Sequence, residues 1–179
     1  LIDSDDDSYL DLHEVVEGTD PLDPEDRIYT GYWPYSYTKE SVYDPGHDPA
    51  GLQEGANMWR FSGVDQFGEE VDIYDYAYQG KPVMVDLSGA WCYYCNELAK
   101  LIDHQDSFFD SYVDYYPWIE ELPGWVENGD VLWVTILDRD VYQLTADEET
   151  VEEWYEDYPT EAVAVLADES ELMASYANV

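Results

Sequence analysis

The chain has 179 residues, 45% of them hydrophobic and 16% aromatic, which suffices for one packed domain of ordinary size with a small appendage. It sets 43 acidic against 6 basic side chains, a formal net charge of −37, so nothing can neutralise phosphates and nucleic acid is excluded as a partner. The acids run through every segment, and self-repulsion of that size predicts surroundings where cations screen or bind them: a salt-rich, halophilic setting, where the Debye length is about 3 Å at molar salt, or an extracellular space that supplies calcium.

No segment reaches the ~18 apolar residues that span a membrane, and no basic stretch followed by an apolar one marks a leader. The chain opens on Leu1, not Met, which is read as a clipped start.

Residues 1–28, LIDSDDDSYLDLHEVVEGTDPLDPEDRI, form the most acidic stretch. Counted from Asp3, side-chain carboxylates fall at loop positions 1, 3, 5, 9 and 12, namely Asp3, Asp5, Asp7, Asp11 and Glu14, and Tyr9 stands at position 7, where a backbone carbonyl is the usual ligand. Two carboxylates about 4 Å apart repel by roughly 1 kcal/mol in bulk water, and by more near a protein surface, so five that converge need a cation. The glycine expected at position 6 is Ser8, which predicts a strained loop of reduced affinity. A solvated acidic leader is the plainer alternative. The continuation EVVEGTDPLDPED resembles the thrombospondin type 3 calcium-binding repeat: Glu14, Gly18, Thr19, Asp20 and Pro21 match its pattern, over about residues 3–26. The resemblance implies calcium as a structural ion, with Asp20, Asp23 and Asp26 as further ligands.

Residues 29–57 are rich in Tyr, Pro and Gly without helical or strand periodicity, and read as a linker or irregular lead-in. From 58 to 179 the chain reads as one globular unit. A short strand is expected near Glu70 to Tyr74, a turn at Gly80, a strand over PVMVDLSG, and a helix from about Cys92 past Lys100. An aromatic helical stretch follows from Phe108 to about Glu120, broken near Pro117 and ended by PGW. DVLWVTILD, residues 130–138, carries the strongest buried-strand pattern. TADEETVEEWYEDY has Thr145 or Asp147 as N-cap with acids in its first turn, then AVAVLAD reads as a strand and ESELMASYANV as the start of a helix. Strands alternating with helices predict βαβ units and a mainly parallel sheet.

The only two cysteines, Cys92 and Cys95, stand two residues apart behind Trp91. Two thiols cannot build a zinc site of four cysteines, and His13, His47 and His104 are not at ligand spacing to them. A staple closing so small a loop removes little unfolded-state entropy. A pair at a strand-to-helix junction instead puts the first sulfur among unpaired N–H groups of a helix N-terminus, which favours its thiolate, and sets the second one turn on to resolve a mixed disulfide. Asp86 interrupts the apolar strand before it; on a central, covered strand it is desolvated, raised in pKa and able to exchange a proton with Cys95, whereas on an exposed face it is an ordinary carboxylate.

GKPVMVDLSGAWCYYCNELA resembles the active-site segment of the thioredoxin superfamily, especially its secreted TlpA-like and redoxin branch, with FSGVDQFGEEVDIYDY resembling the lead-in strands and VLWVTILDRD the next core strand. The resemblance covers about residues 58–179. It implies an α/β fold, three-layered with a mainly parallel central sheet, Cys92 as nucleophile, Cys95 as resolving cysteine, Asp86 as buried proton carrier and Trp91 flanking the site. The Tyr93–Tyr94 pair departs from the residues common between such cysteines. The cis-proline, strand pair and final helix of that fold are expected beyond Val179, so the chain is read as a fragment.

The expected activity is thiol-disulfide exchange by an exported protein, periplasmic, extracellular or at the cell surface. Its partners are protein thiols and disulfides with an electron donor or acceptor, and no organic cofactor is expected. Two alternatives stand beside it: a peroxide-reducing redoxin, which ordinarily shows a Pro-x-x-x-Thr-x-x-Cys setting where this chain has Ser88 and Trp91, and a calcium-stabilised surface module on a redox-inert scaffold.

Overall fold

A computed structural model describes residues 2–46 and 54–177, with side chains described up to residue 175. His47 lies outside the described residues, as do the other residues of 47–53. No helix among the described residues is long and apolar enough to cross a membrane.

The protein is mixed α/β. Its centre is a parallel sheet of three strands in the order β3 (Val83–Gly89), β4 (Leu132–Arg139), β5 (Val163–Ala167). Every position of β5 and Trp133 to Leu137 of β4 are buried, as expected of a parallel sheet covered on both faces. The crossovers are α2 (Tyr93–Ile102) with α3 (Trp118–Glu127) between β3 and β4, and α4 (Glu148–Asp157) between β4 and β5. Strand order follows chain order, so right-handed crossovers put these helices on one face. There Leu101, Ile102, Ile119, Leu122, Val126, Val151 and Trp154 pack on Trp133, Leu137, Val163 and Val165.

The opposite face is covered by the N-terminal part of the chain. Val134, Ile136, Ala164 and Leu166 meet Tyr9, Tyr29, Trp33, Phe61, Val71, Ile73 and Met173 of α5 (Leu172–Ala177). Residues 29–46 hold one short 3₁₀ turn, Lys39–Ser41, and are otherwise irregular, yet Tyr29, Trp33 and Ser36 are buried in this layer. A small antiparallel hairpin, β1 (Ser62–Val64) and β2 (Glu70–Asp72), closes it. Gly63 makes the hairpin's approach to the sheet feasible, because a Cβ there would lie 2.7 Å from the Ala167 carbonyl oxygen. Gln66 then plugs the outer edge of β5: its Nε2 donates to the Val163 carbonyl at 2.9 Å and its Oε1 accepts from the Val165 N–H at 2.9 Å, pairing an edge that would otherwise be open.

Several elements differ from the sequence-based expectation. The strand after Gly68 ends at Asp72 and turns into a 3₁₀ helix, Ile73–Tyr76, capped by the Asp72 carboxylate on the Tyr74 N–H. The aromatic stretch is a 3₁₀ helix, Phe108–Tyr112, and α3 starts at Trp118 and continues through Pro123. Proline deletes one helical bond there, but Ile119, Leu122, Pro123 and Val126 are all buried, and packing of an apolar face outweighs the loss. Within this sheet β4, not β3, is the central strand.

Candidate redox turn and cation loop

β3 ends at Gly89 and the chain turns over three residues, Ala90 to Cys92, into α2. The Ala90 N–H donates to the Arg139 carbonyl at 2.8 Å and the Cys92 N–H to the Gly89 carbonyl at 2.9 Å, tying the turn to the end of β4 and to itself. Trp91 folds back so closely that a Cβ on Gly89 would stand 2.7 Å from its indole nitrogen, while 53% of Trp91 stays exposed. Cys92 is the N-cap of α2 in extended backbone, and its Sγ accepts from the Cys95 N–H at 3.3 Å. Cys92 and Cys95 are joined as a disulfide, Cα to Cα 5.3 Å. Both are half-buried, and Cys95 packs against the core. The unpaired N–H groups and dipole of a helix start favour a thiolate at the first cysteine.

Asp86 lies on the helix-covered side of β3, where a cavity of about 10 Å3 is bounded by Asp86, Thr135, Trp133, Trp154 and Tyr158. Burial raises its carboxyl above the ordinary range, opposed by the hydrogen bond it accepts from the Ser88 hydroxyl at 2.7 Å. β3 is an outer strand of the sheet, and the desolvation comes from the overlying helices; among the described residues no hydrogen bond joins Asp86 to either cysteine.

An exposed aromatic cluster flanks the disulfide. Tyr93 and Tyr94 meet edge to face at 5.3 Å, and both reach Phe108, which in turn meets Tyr112 at 5.2 Å. It is fastened to α2 by Glu97, whose carboxylate accepts from the Phe108 N–H at 2.6 Å and pairs with Lys100 at 2.7 Å, and whose carbonyl accepts from the Ser107 hydroxyl at 2.7 Å. The Lys100 ammonium, then the Phe108 amide, hold the Glu97 carboxyl below the usual range. Another side chain bound to the disulfide-bearing turn is Asn96, whose amide donates to the carbonyls of Ala90 and Cys92. Its link to Tyr158 spans 62 positions, a separation that leaves no local pattern to find.

At the other end of the chain, Asp3, Asp5 and Asp7 each offer a carboxylate oxygen within 4.8 Å of the others. The loop leads into α1 (Asp11–Glu17), where Glu14 is fully buried. Neither Glu14 oxygen has a hydrogen-bond partner, nor do Oδ2 of Asp5 and Oδ2 of Asp7. Burial first, then the charges of Asp7, Asp5, Asp11 and Asp3, push the Glu14 carboxyl up to about 7. Buried carboxylate oxygens left without donors, under the charge of three clustered aspartates, fit a hard, oxygen-seeking cation such as Ca2+.

Of the other expected ligands, Asp11 spends its two oxygens on the N–H and hydroxyl of Ser4, both at 2.8 Å. Tyr9 buries its ring and donates from its hydroxyl to the Trp33 carbonyl at 2.8 Å. Asp20, Asp23 and Asp26 accept from backbone amides of their own turns and join no acidic group of this kind among the described residues. Ser8 and Asp6 take left-handed backbone, at φ 86° and 63°.

The chain matches no protein-family model and no curated protein sequence.

Proposed function

We propose that this protein exchanges thiols and disulfides through Cys92 and Cys95. The observation that carries the reading is the closed disulfide at the N-cap of α2, half-exposed at the C-terminal end of a parallel strand. A strand–turn–helix with that placement, an acidic group on the strand before it and a parallel β3–β4–β5 sheet support kinship with thioredoxin-like folds.

In the direction that oxidises a client, a client thiolate attacks the Cys92 sulfur. The Cys92–Cys95 bond breaks, and Cys95 leaves with the electron pair and takes up a proton. A second client thiolate then attacks the client sulfur of the mixed disulfide and releases Cys92 as a thiolate, so two electrons pass from client to protein. Asp86, raised in pKa on the strand beneath, is the proposed proton carrier for Cys95. The reverse direction needs a dithiol electron donor.

The cation loop supplies structure in this reading. Asp3, Asp5, Asp7 and Glu14 would hold Ca2+, whose charge offsets their mutual repulsion. A closed disulfide and a calcium-dependent loop both suit an exported or cell-surface location.

Cys92→Ser is expected to abolish disulfide exchange with a model dithiol or disulfide, and Cys95→Ser, whose Cys92 thiolate attacks a model disulfide and expels one of its sulfurs as a thiolate, to accumulate the mixed disulfide. Exchange at the wild-type rate in Cys92→Ser overturns the proposal.

A further inference from the structure

Asn96 directly follows the second cysteine, and its side chain points back over the turn that holds the first. Its Nδ2 donates to the carbonyl of Ala90 at 3.0 Å and to that of Cys92 at 2.7 Å. The Cys92 carbonyl also accepts from the Asn96 backbone N–H at 3.1 Å. One side chain therefore bridges both ends of the Ala90–Trp91–Cys92 segment and clamps it to the first turn of α2. The amide is held from behind: the Tyr158 hydroxyl, at the C-cap of α4, donates to Asn96 Oδ1 at 2.7 Å. That bond fixes which end of the amide faces the turn, because the oxygen is committed to Tyr158 and only the NH2 group is left for the two carbonyls. Tyr158 is itself buried, with 7% of its surface exposed, its ring edge-to-face on Trp154 at 4.9 Å.

From this geometry we infer that Asn96, oriented by Tyr158, is a positioning residue that sets the redox poise of the Cys92–Cys95 pair; the inference rests on the disulfide-exchange reading. In the oxidised protein the sulfur–sulfur bond itself closes the loop. On reduction that covalent tie is lost, and hydrogen bonds must hold Cys92 in extended N-cap backbone, with Sγ against the Cys95 N–H. A clamp on the Cys92 carbonyl is thus worth more in the dithiol than in the disulfide. It keeps the thiolate in the field of the helix N-terminus, lowers its pKa, and favours the reduced form, which makes the pair a stronger oxidant. The amide is neutral and, on its own, adds no charge to the sulfur; its effect passes wholly through where Cys92 sits.

The test uses the full chain. Wild type, Asn96→Ala and Tyr158→Phe are equilibrated with glutathione redox buffers to obtain the reduction potential. The pH dependence of Cys92 alkylation by iodoacetamide in the reduced protein gives its thiol pKa, and thermal melting of the oxidised protein reports the fold. Asn96→Ala is expected to shift the glutathione equilibrium about tenfold toward the disulfide, equivalent to about 30 mV lower potential, with a raised Cys92 pKa. Tyr158→Phe keeps the NH2 donors but frees the amide to turn, and is expected to shift both quantities the same way by a smaller factor.

A merely structural role would lower the melting temperature and leave potential and pKa where they are; that result in both variants overturns the inference. Failure of the wild-type protein to exchange disulfides at all sinks the redox reading instead. The alkylation profile still reports on its own whether Asn96 governs the placement of the Cys92 sulfur.

Discussion

Asp86 accepts a hydrogen bond from the hydroxyl of Ser88, and the helices above it remove water. Its carboxyl titrates higher in the folded chain than in the unfolded one, where it has the ordinary value of about 3.9. The sign follows from linkage: between those two values the native state binds more protons than the unfolded state, so this group's contribution to stability falls as pH rises through the window. Asp86→Asn removes the titration and keeps an acceptor for Ser88. Its urea midpoint relative to wild type is expected to climb as pH rises from about 4, and to level off once Asp86 is ionised in both states. Parallel pH profiles for the two proteins would show that Asp86 carries no such penalty. The sequence placed this carboxyl correctly on a strand before the cysteines. Where its dry surroundings come from is a matter of which helices cross β3, and no run of adjacent residues encodes that.

At the scale of single elements, what the pattern of apolar residues shows is the regular part. β4, β5, α2 and the Asp147 cap of α4, with its reciprocal Thr150 bonds, follow from periodicity and cap chemistry. The 3₁₀ helix Phe108–Tyr112 does not, because it is fastened by the distant Glu97, and neither does the passage of α3 through Pro123, where burial of an apolar face overrides local preference.

The acidic loop belongs to a third kind, where a single backbone angle matters. Ser8 occupies φ 86°, a conformation glycine adopts without strain and other residues rarely enter. Ser8→Gly is therefore expected to stabilise the loop by about 1 kcal/mol and to tighten Ca2+ binding several-fold, read by calorimetric titration. An unchanged or weakened dissociation constant would mean that Ser8 supports the loop in some other way.

For the whole molecule, charge and packing meet in the N-terminal layer. The Tyr9 N–H donates to Asp7 in the acidic loop at 2.8 Å while its hydroxyl reaches the Trp33 carbonyl. Trp33 then donates from its indole to the buried Asp65 at 2.6 Å, and Tyr29 from its hydroxyl to the buried Asp75 at 2.7 Å. Loop and sheet cover are one bonded structure, which composition alone did not reveal because residues 29–46 carry their buried aromatics without a period. Among the described residues five of the six basic side chains are paired with acids: Arg27, Lys39, Arg60, Lys100 and Arg139. Most of the acids among the described residues consequently have no cationic partner.

Desalting should lower the melting temperature, and a chelator at low salt should lower it further by unfastening Tyr9 from the sheet cover. If Ca2+ is present at about 100 times its dissociation constant, its binding adds about 2.7 kcal/mol, or roughly 5–10 °C for a chain of this size. Melting that ignores both treatments would remove the cation argument.

The two margins of the parallel sheet are finished differently. Along β5, the Gln66 amide takes the hydrogen bonds that another strand would use. Along β3, no described strand pairs on the far side from β4, and Val83 and Met84 lie exposed there. The sheet can therefore lengthen in one direction only, and a backbone that joined it would run alongside the strand whose last residue hands the chain to the sulfur-bearing turn.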